Sequence, residues 1–120
     1  MYSAQVIDHF EHPRNIGVVD SPDAVAQVEN PACGDVLKLT AKVADGRIAE
    51  ARFLAQGCVP AIACGSALTE LIVGKTLKAA AAVRREDLLR KLGGLPDTSN
   101  HATHLAIDAL AVLLRNLAPR

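Results

Sequence analysis

The stretch from Asp35 to Gln56, "DVLKLTAKVADGRIAEARFLAQ", leaves this chain the least conformational choice. Leu37, Leu39, Ala41 and Val43 alternate with Lys38, Thr40 and Lys42, which is the period of a strand with one buried face. "ADGR" is a hairpin turn signal, and "IAEARFLAQ" runs back as the partner strand. A two-residue loop at Asp45-Gly46 would set Leu39 against Arg52 and Ala41 against Glu50. A three-residue loop with Gly46 left-handed sets Leu39 against Ala51 and Leu37 against Phe53. The second register keeps apolar residues on one face and is the one expected.

Around this hairpin the chain supplies one more strand and several helices. "VAQVEN" (25–30), closed by Pro31, reads as a first strand, and residues 13–24, with two prolines, a glycine and two aspartates, read as a loop. Ser3 caps a short helix over about 4–11 that Pro13 stops. A helix over about 60–73 starts at Pro60 and exits at Gly74. Residues 76–92 read as one or two short helices ended by Gly93-Gly94, and a last helix runs from near Asn100 to about Leu117. A small antiparallel sheet with separate helices is an α+β pattern, and residues 1–120 are expected to form a single domain.

Half of the residues are hydrophobic but only 2% are aromatic, so the core must be aliphatic and rich in alanine. Thirteen basic residues balance thirteen acidic ones, with no basic stripe and no interleaved aromatics, which argues against nucleic acid as a partner. The N-terminal segment lacks the apolar run of an export signal, and no apolar stretch approaches the ~20 residues of a membrane span. The expected setting is the cytoplasm, where thiols stay reduced. Three cysteines spaced C-x24-C-x5-C fit neither a disulfide framework nor a paired zinc motif.

Either hairpin register brings Cys33 and Cys58 together at the open end of the ladder: the expected register sets Cys33 opposite Gly57, and the other sets it opposite Cys58 itself. Each thiol adjoins a glycine, in "ACGD" and "QGCV", and Asp35 adds a carboxylate at the same end. Cys58 also precedes a helix N-terminus, whose partial positive charge favours thiolate. Two thiolates and a carboxylate make most of a soft metal site, while the competing reading is two small buried residues. Cys64 shares a stripe with Ala61, Leu68 and Leu71, which suits core packing, with a reserve ligand as the alternative. His104 shares a stripe with Asp108, Ala111 and Arg115 and reads as a surface residue, whereas His101, in the first turn, is the better placed to face inward. No acid–base pair or activated serine stands out, so enzymatic catalysis is not expected.

"YSAQVIDHFEHPRNIG", "NPACGDVLKL", "ARFLAQGC" with "AIA.GSALTELIVGKTL", and "LP....H....AIDAL" resemble the IscU/NifU N-terminal family of iron–sulfur cluster assembly scaffolds, over nearly the whole chain. The resemblance implies a SufE/NifU-like α+β fold with a three-stranded antiparallel sheet. It also implies a scaffold that assembles a [2Fe–2S] cluster from iron and from sulfur supplied by a cysteine desulfurase, then passes it to acceptor proteins. By position it implies Cys33, Asp35, Cys58 and His101 as the ligand set, with Cys64 and His104 as additional candidates nearby. Zinc can occupy the same positions in relatives, so a zinc-binding regulatory or interaction protein on this fold is the alternative reading. Two departures stand out. The family's "HC" pair is His101-Ala102 here, so its third cysteine is missing. The "LPPVK"-like loop recognised by a dedicated Hsp70 chaperone is "LPDTS", so that partner is not expected.

Overall fold

A computed structural model of the chain describes residues 1–32 and 34–117; Cys33 and residues 118–120 lie outside the described residues. The alternating stretch forms β2 (Val36–Ala44) and β3 (Arg47–Gln56), and β1 (Ala24–Glu29) pairs with β2 to give an antiparallel sheet ordered β1-β2-β3. The three-stranded sheet is the one expected, but the hairpin register is not. Ala44 pairs with Arg47 across a two-residue turn, with Asp45 at φ 54° and Gly46 at φ 75°. Two successive left-handed residues are what the tightest hairpin turn needs. Beyond Val43–Ile48 the ladder shifts, leaving Ala49 unpaired, so that Leu39 lies against Phe53 and Leu37 against Ala55. The bulge does what the three-residue loop was expected to do: it restores apolar-to-apolar pairing, two positions from the expected register.

Among the described residues five α-helices complete the fold, α1 (Ala4–Glu11), α2 (Val59–Ile72), α3 (Leu77–Ala81), α4 (Arg85–Lys91) and α5 (Asn100–Leu117), with a short 3-10 turn at Asp97–Ser99 before α5. The Ser3 hydroxyl accepts from the Val6 amide at 3.0 Å and caps α1. Residues 76–92 resolve their ambiguity as two helices, α3 and α4, separated at Val83-Arg84. One face of the sheet is covered by α2, on β3, and by α5, on β1 and β2, while α1 lies across α2.

The low aromatic content has a geometric consequence. Phe53 is wholly buried, and α2 sets Gly65 against it within a run of small buried residues, Ala63, Cys64, Gly65, Ser66 and Ala67. A Cβ on Gly65 would fall 2.6 Å from the Phe53 ring. Small residues thus bring the helix axis close to the sheet, and one ring fills the space between them, a burial that stabilises by roughly 1.5–3 kcal/mol. The opposite sheet face is only partly open. Thr40, on the side expected to be polar, is 1% exposed because Val19 crosses it, the Val19 amide donating to Thr40 Oγ1 at 3.0 Å. No helix among the described residues is long and apolar enough to cross a membrane.

Candidate metal centre

Three elements end at the same corner of the sheet. Continuing the observed ladder one step past Val36–Gln56 sets Asp35 beside Gly57, where β3 gives way to α2. The chain enters β2 through a tight turn in which the Gly34 amide donates to Asn30 O at 2.7 Å and the Asn30 amide donates to Asp35 O at 2.8 Å. Cys58 is the N-cap residue of α2, and His101 stands in the first turn of α5.

Their side chains converge. Cys58 Sγ lies 3.2 Å from Asp35 Oδ2 and 3.8 Å from His101 Nε2, and Nε2 lies 3.4 Å from the same Oδ2. One donor atom from each of the three residues fits within 4.8 Å of the others, and this is the one such three-residue group among the described residues. The Asp35 side chain is 6% exposed and that of His101 is 36% exposed, so the group opens to solvent on the imidazole side. Thiol sulfur, imidazole nitrogen and carboxylate oxygen are the donors that borderline first-row metals accept, and three of them leave a position for another ligand.

The electrostatics of Cys58 differ from the sequence-based expectation. Loss of solvent raises its thiol above the ordinary range; the Ala61 amide at the start of α2 pulls the other way, and the hydrogen-bonded Asp35 carboxylate adds to the rise. The helix terminus does favour thiolate, but desolvation and the neighbouring anion outweigh it. A bound cation reverses that balance, because it replaces the proton on sulfur and neutralises Asp35 at once.

Asp35, Cys58 and His101 are therefore brought together, and the placement of Cys33 lies outside the described residues. His104 is exposed on α5, on the stripe it was expected to share with Asp108, Ala111 and Arg115. Cys64 is wholly buried in the core, and that burial pushes its thiol up to about 12. Ala102, in place of the family's third cysteine, is 1% exposed.

Sequence reasoning missed one participant. Gly57 stands out in the sequence only as the neighbour of Cys58, but the space its missing side chain leaves is taken by Asp35. A Cβ on Gly57 would fall 2.1 Å from Asp35 Oδ1 and 2.6 Å from its Cγ. Gly57 also has φ 144°, a conformation side-chain-bearing residues rarely adopt. The signal that would have found it is the register itself: with the bulge included, Asp35 and Gly57 become cross-strand partners.

Comparison with known proteins agrees with this architecture. The chain is 46% identical over 113 residues to the iron-sulfur cluster assembly scaffold protein IscU of Escherichia coli K12, covering 91% of this chain and 88% of that protein. It is 44% identical over 110 residues to the scaffold protein IscU 1 of Archaeoglobus fulgidus, covering 92% and 72% respectively. Among solved structures, the N-terminal part of a NifU-like protein from Brucella abortus superposes with a TM-score of 0.78 at 22% identity, covering 96% of this chain and 92% of that one. A putative scaffold of the SUF system from Fervidobacterium islandicum superposes with a TM-score of 0.76 at 19% identity, covering 94% and 96%. At those identities the two structures speak for the fold alone. The model of the NifU-like N terminal domain matches residues 1–118, and the chain belongs to that family.

Proposed function

We propose that this protein is an iron–sulfur cluster assembly scaffold, one domain over residues 1–120, that holds iron or a transient [2Fe–2S] cluster and releases it to acceptor proteins. The observation that carries the reading is the convergence of Asp35, Cys58 and His101 from three separate elements, in a chain 46% identical to a named scaffold. Cys33, two residues before Asp35 in "PACGD", is the fourth proposed ligand. A cysteine desulfurase is the expected sulfur donor, and a cytoplasmic setting that keeps thiols reduced suits the chemistry.

The residues divide the work. Cys58 and Cys33 supply the soft thiolates that iron–sulfur clusters require. His101 closes the site from the solvent side. Asp35 supplies a hard oxygen where a third thiolate would bind more tightly, which weakens the hold on a cargo that has to leave. With alanine at 102, the set has two thiolates rather than three, and the same argument makes the cargo more labile than in a scaffold with the "HC" pair. The zinc alternative gains nothing from the relatives, whose names describe cluster scaffolds.

Anaerobic incubation with ferrous iron and sulfide tests the proposal. The expected result is a visible sulfur-to-iron charge-transfer spectrum that weakens in Cys33→Ala and Cys58→Ala and lasts longer in Ala102→Cys. A parent protein that develops no chromophore would overturn it.

A further inference from the structure

His101 stands in the first turn of α5, so the direction of its imidazole depends on how that turn is held. Thr103 follows it by two residues, roughly 200° round the helix, and the two side chains leave on nearly opposite sides. Burial agrees: Thr103 is wholly buried, whereas His101 is half-buried and opens to solvent. The Thr103 hydroxyl is fully committed. It donates its one proton to Asn100 O at 2.7 Å, so it can only accept from another partner, and Arg85 Nε donates to it at 2.8 Å. Arg85 is the first residue of α4, so this hydrogen bond ties the start of one helix to the start of another, 18 positions along the chain.

Charge does not explain the contact. Arg85 starts α4 and reaches the first turn of α5, and both are positive helix ends, where a cation is disfavoured. Among the described residues it forms no ion pair, although Arg14, Arg52, Arg90 and Lys91 do. The part of Arg85 that the structure uses is a directed N–H, not its charge.

We propose that Arg85, acting through Thr103, is a positioning residue for the metal centre. It clamps the far side of the first turn of α5 and sets the rotation at which His101 presents Nε2 to Asp35 and Cys58. The effect on metal rests on the scaffold reading above; the clamp itself does not. Nε2 lies 3.4 Å from Asp35 Oδ2 and 3.8 Å from Cys58 Sγ. A side-chain tip about 5–6 Å from the helix axis travels about 0.5 Å, the displacement a functional site tolerates, when the turn rotates by about 5°. Holding the turn from behind also leaves the solvent side of the imidazole open to cargo.

Two measurements on the full chain test the clamp: Co²⁺ affinity, read by thiolate charge-transfer and ligand-field absorption, and amide hydrogen exchange of the metal-free protein. Glutamine carries an N–H donor the same number of bonds from the backbone as arginine Nε, without the charge; methionine has the length without the donor. Arg85→Met should weaken Co²⁺ binding about tenfold, the lower end of what loss of an outer-shell partner costs a metal site, and speed exchange in the first turn of α5. Arg85→Gln should match the parent in both. Thr103→Val should behave as Arg85→Met does, and Thr103→Ser should keep the parent affinity. In a His101→Ala background, Arg85→Met should cost no further affinity, because the residue through which it acts is gone; a merely structural role would weaken both backgrounds alike. An Arg85→Met variant that binds and exchanges as the parent does, or that costs as much without His101 as with it, would overturn the proposal. If His101→Ala itself leaves Co²⁺ affinity unchanged, the scaffold centre loses its imidazole, and the exchange rates of Arg85→Met and Arg85→Gln still decide the clamp. Arg85 is half-buried and outside the core, so both variants should fold, which far-ultraviolet dichroism checks.

Discussion

Gly57→Ala should dismantle the candidate centre without substituting any of its candidate ligands. The added methyl would sit 2.1 Å from Asp35 Oδ1, 2.6 Å from Cγ and 3.1 Å from Cβ, where ordinary contacts begin near 3.4 Å. Asp35 has little room to retreat, being 4% exposed and fixed through its own carbonyl to the Asn30 amide. Overpacking of this kind costs about 1–3 kcal/mol, and an alanine held at φ 144° adds a backbone strain of about 1–3 kcal/mol. Together these reach about 2–6 kcal/mol, a large part of the 5–15 kcal/mol typical of a domain. A double-mutant cycle with Asp35→Ala separates the two costs. Backbone strain is present in either background, but the contacts at 2.1 and 2.6 Å vanish once the carboxylate is gone. Urea unfolding should therefore show Gly57→Ala costing at least about 1 kcal/mol less when position 35 is alanine. In the single variant, Co²⁺ binding should lose the contribution of the displaced carboxylate. Equal costs in both backgrounds would refute the claim that Asp35 occupies the space a side chain at 57 would need.

The core and the first helix give two further expectations. Gly65→Ala gains helix propensity worth about 1 kcal/mol, but its methyl meets a fully buried Phe53 at 2.6 Å. The net effect should be destabilising, up to about 2 kcal/mol, seen as a lower urea midpoint at unchanged slope; a neutral or stabilised variant would contradict the packing described. His9 is 6% exposed, with Nδ1 2.7 Å from Ser66 Oγ and Nε2 3.6 Å from Glu70 Oε1. Burial, first, and the Arg14 charge, second, depress its pKa below the ordinary 6.5 against the pull of Glu70. Since the unfolded chain then binds the proton more readily, the stability from neutral His9 is complete above pH 6.5 and is lost as pH falls below it. His9→Gln should flatten that acid slope in urea unfolding measured on either side of the same pH, and an unchanged slope would assign it to other groups.

How far the sequence carries is clearest along β3. The alternation in β2 was legible because Leu37, Leu39 and Ala41 keep strict period two, and all three are buried. In β3 the buried residues are Ile48, Ala51 and Phe53, one even-numbered and two odd-numbered. No unbroken strand can point both parities inward, so the conflict itself announces a bulge between Ile48 and Ala51. Reading the register from a single loop length could not accommodate it. At the site, helical stripes separated inward His101 from exposed His104, because the apolar side of α5 is marked by Leu105, Ala109 and Leu113. Cys64 was legible for the same reason. The state of the Cys58 thiol was not, since it depends on how much solvent the fold removes and on the distance to Asp35, neither of which spacing encodes.

The placement of the donors links cargo to stability. Asp35 and Cys58 are 23 residues apart and Cys58 and His101 are 43 apart, and each belongs to a different element around the open corner of the sheet. A metal ion held by all three would close long loops between the strand entry, the start of α2 and the start of α5. Binding energy would then appear as folding energy, growing with the logarithm of the ratio of free concentration to dissociation constant. Release would reverse this linkage. Without a metal, the corner holds Cys58, the buried Asp35 carboxylate and the His101 imidazole by contacts of 3.2 to 3.8 Å. A scaffold with a third thiolate would resist release more strongly. On the proposed reading, Ala102 would bear on function through the balance between holding and letting go, and the hard Asp35 oxygen would move that balance in the same direction.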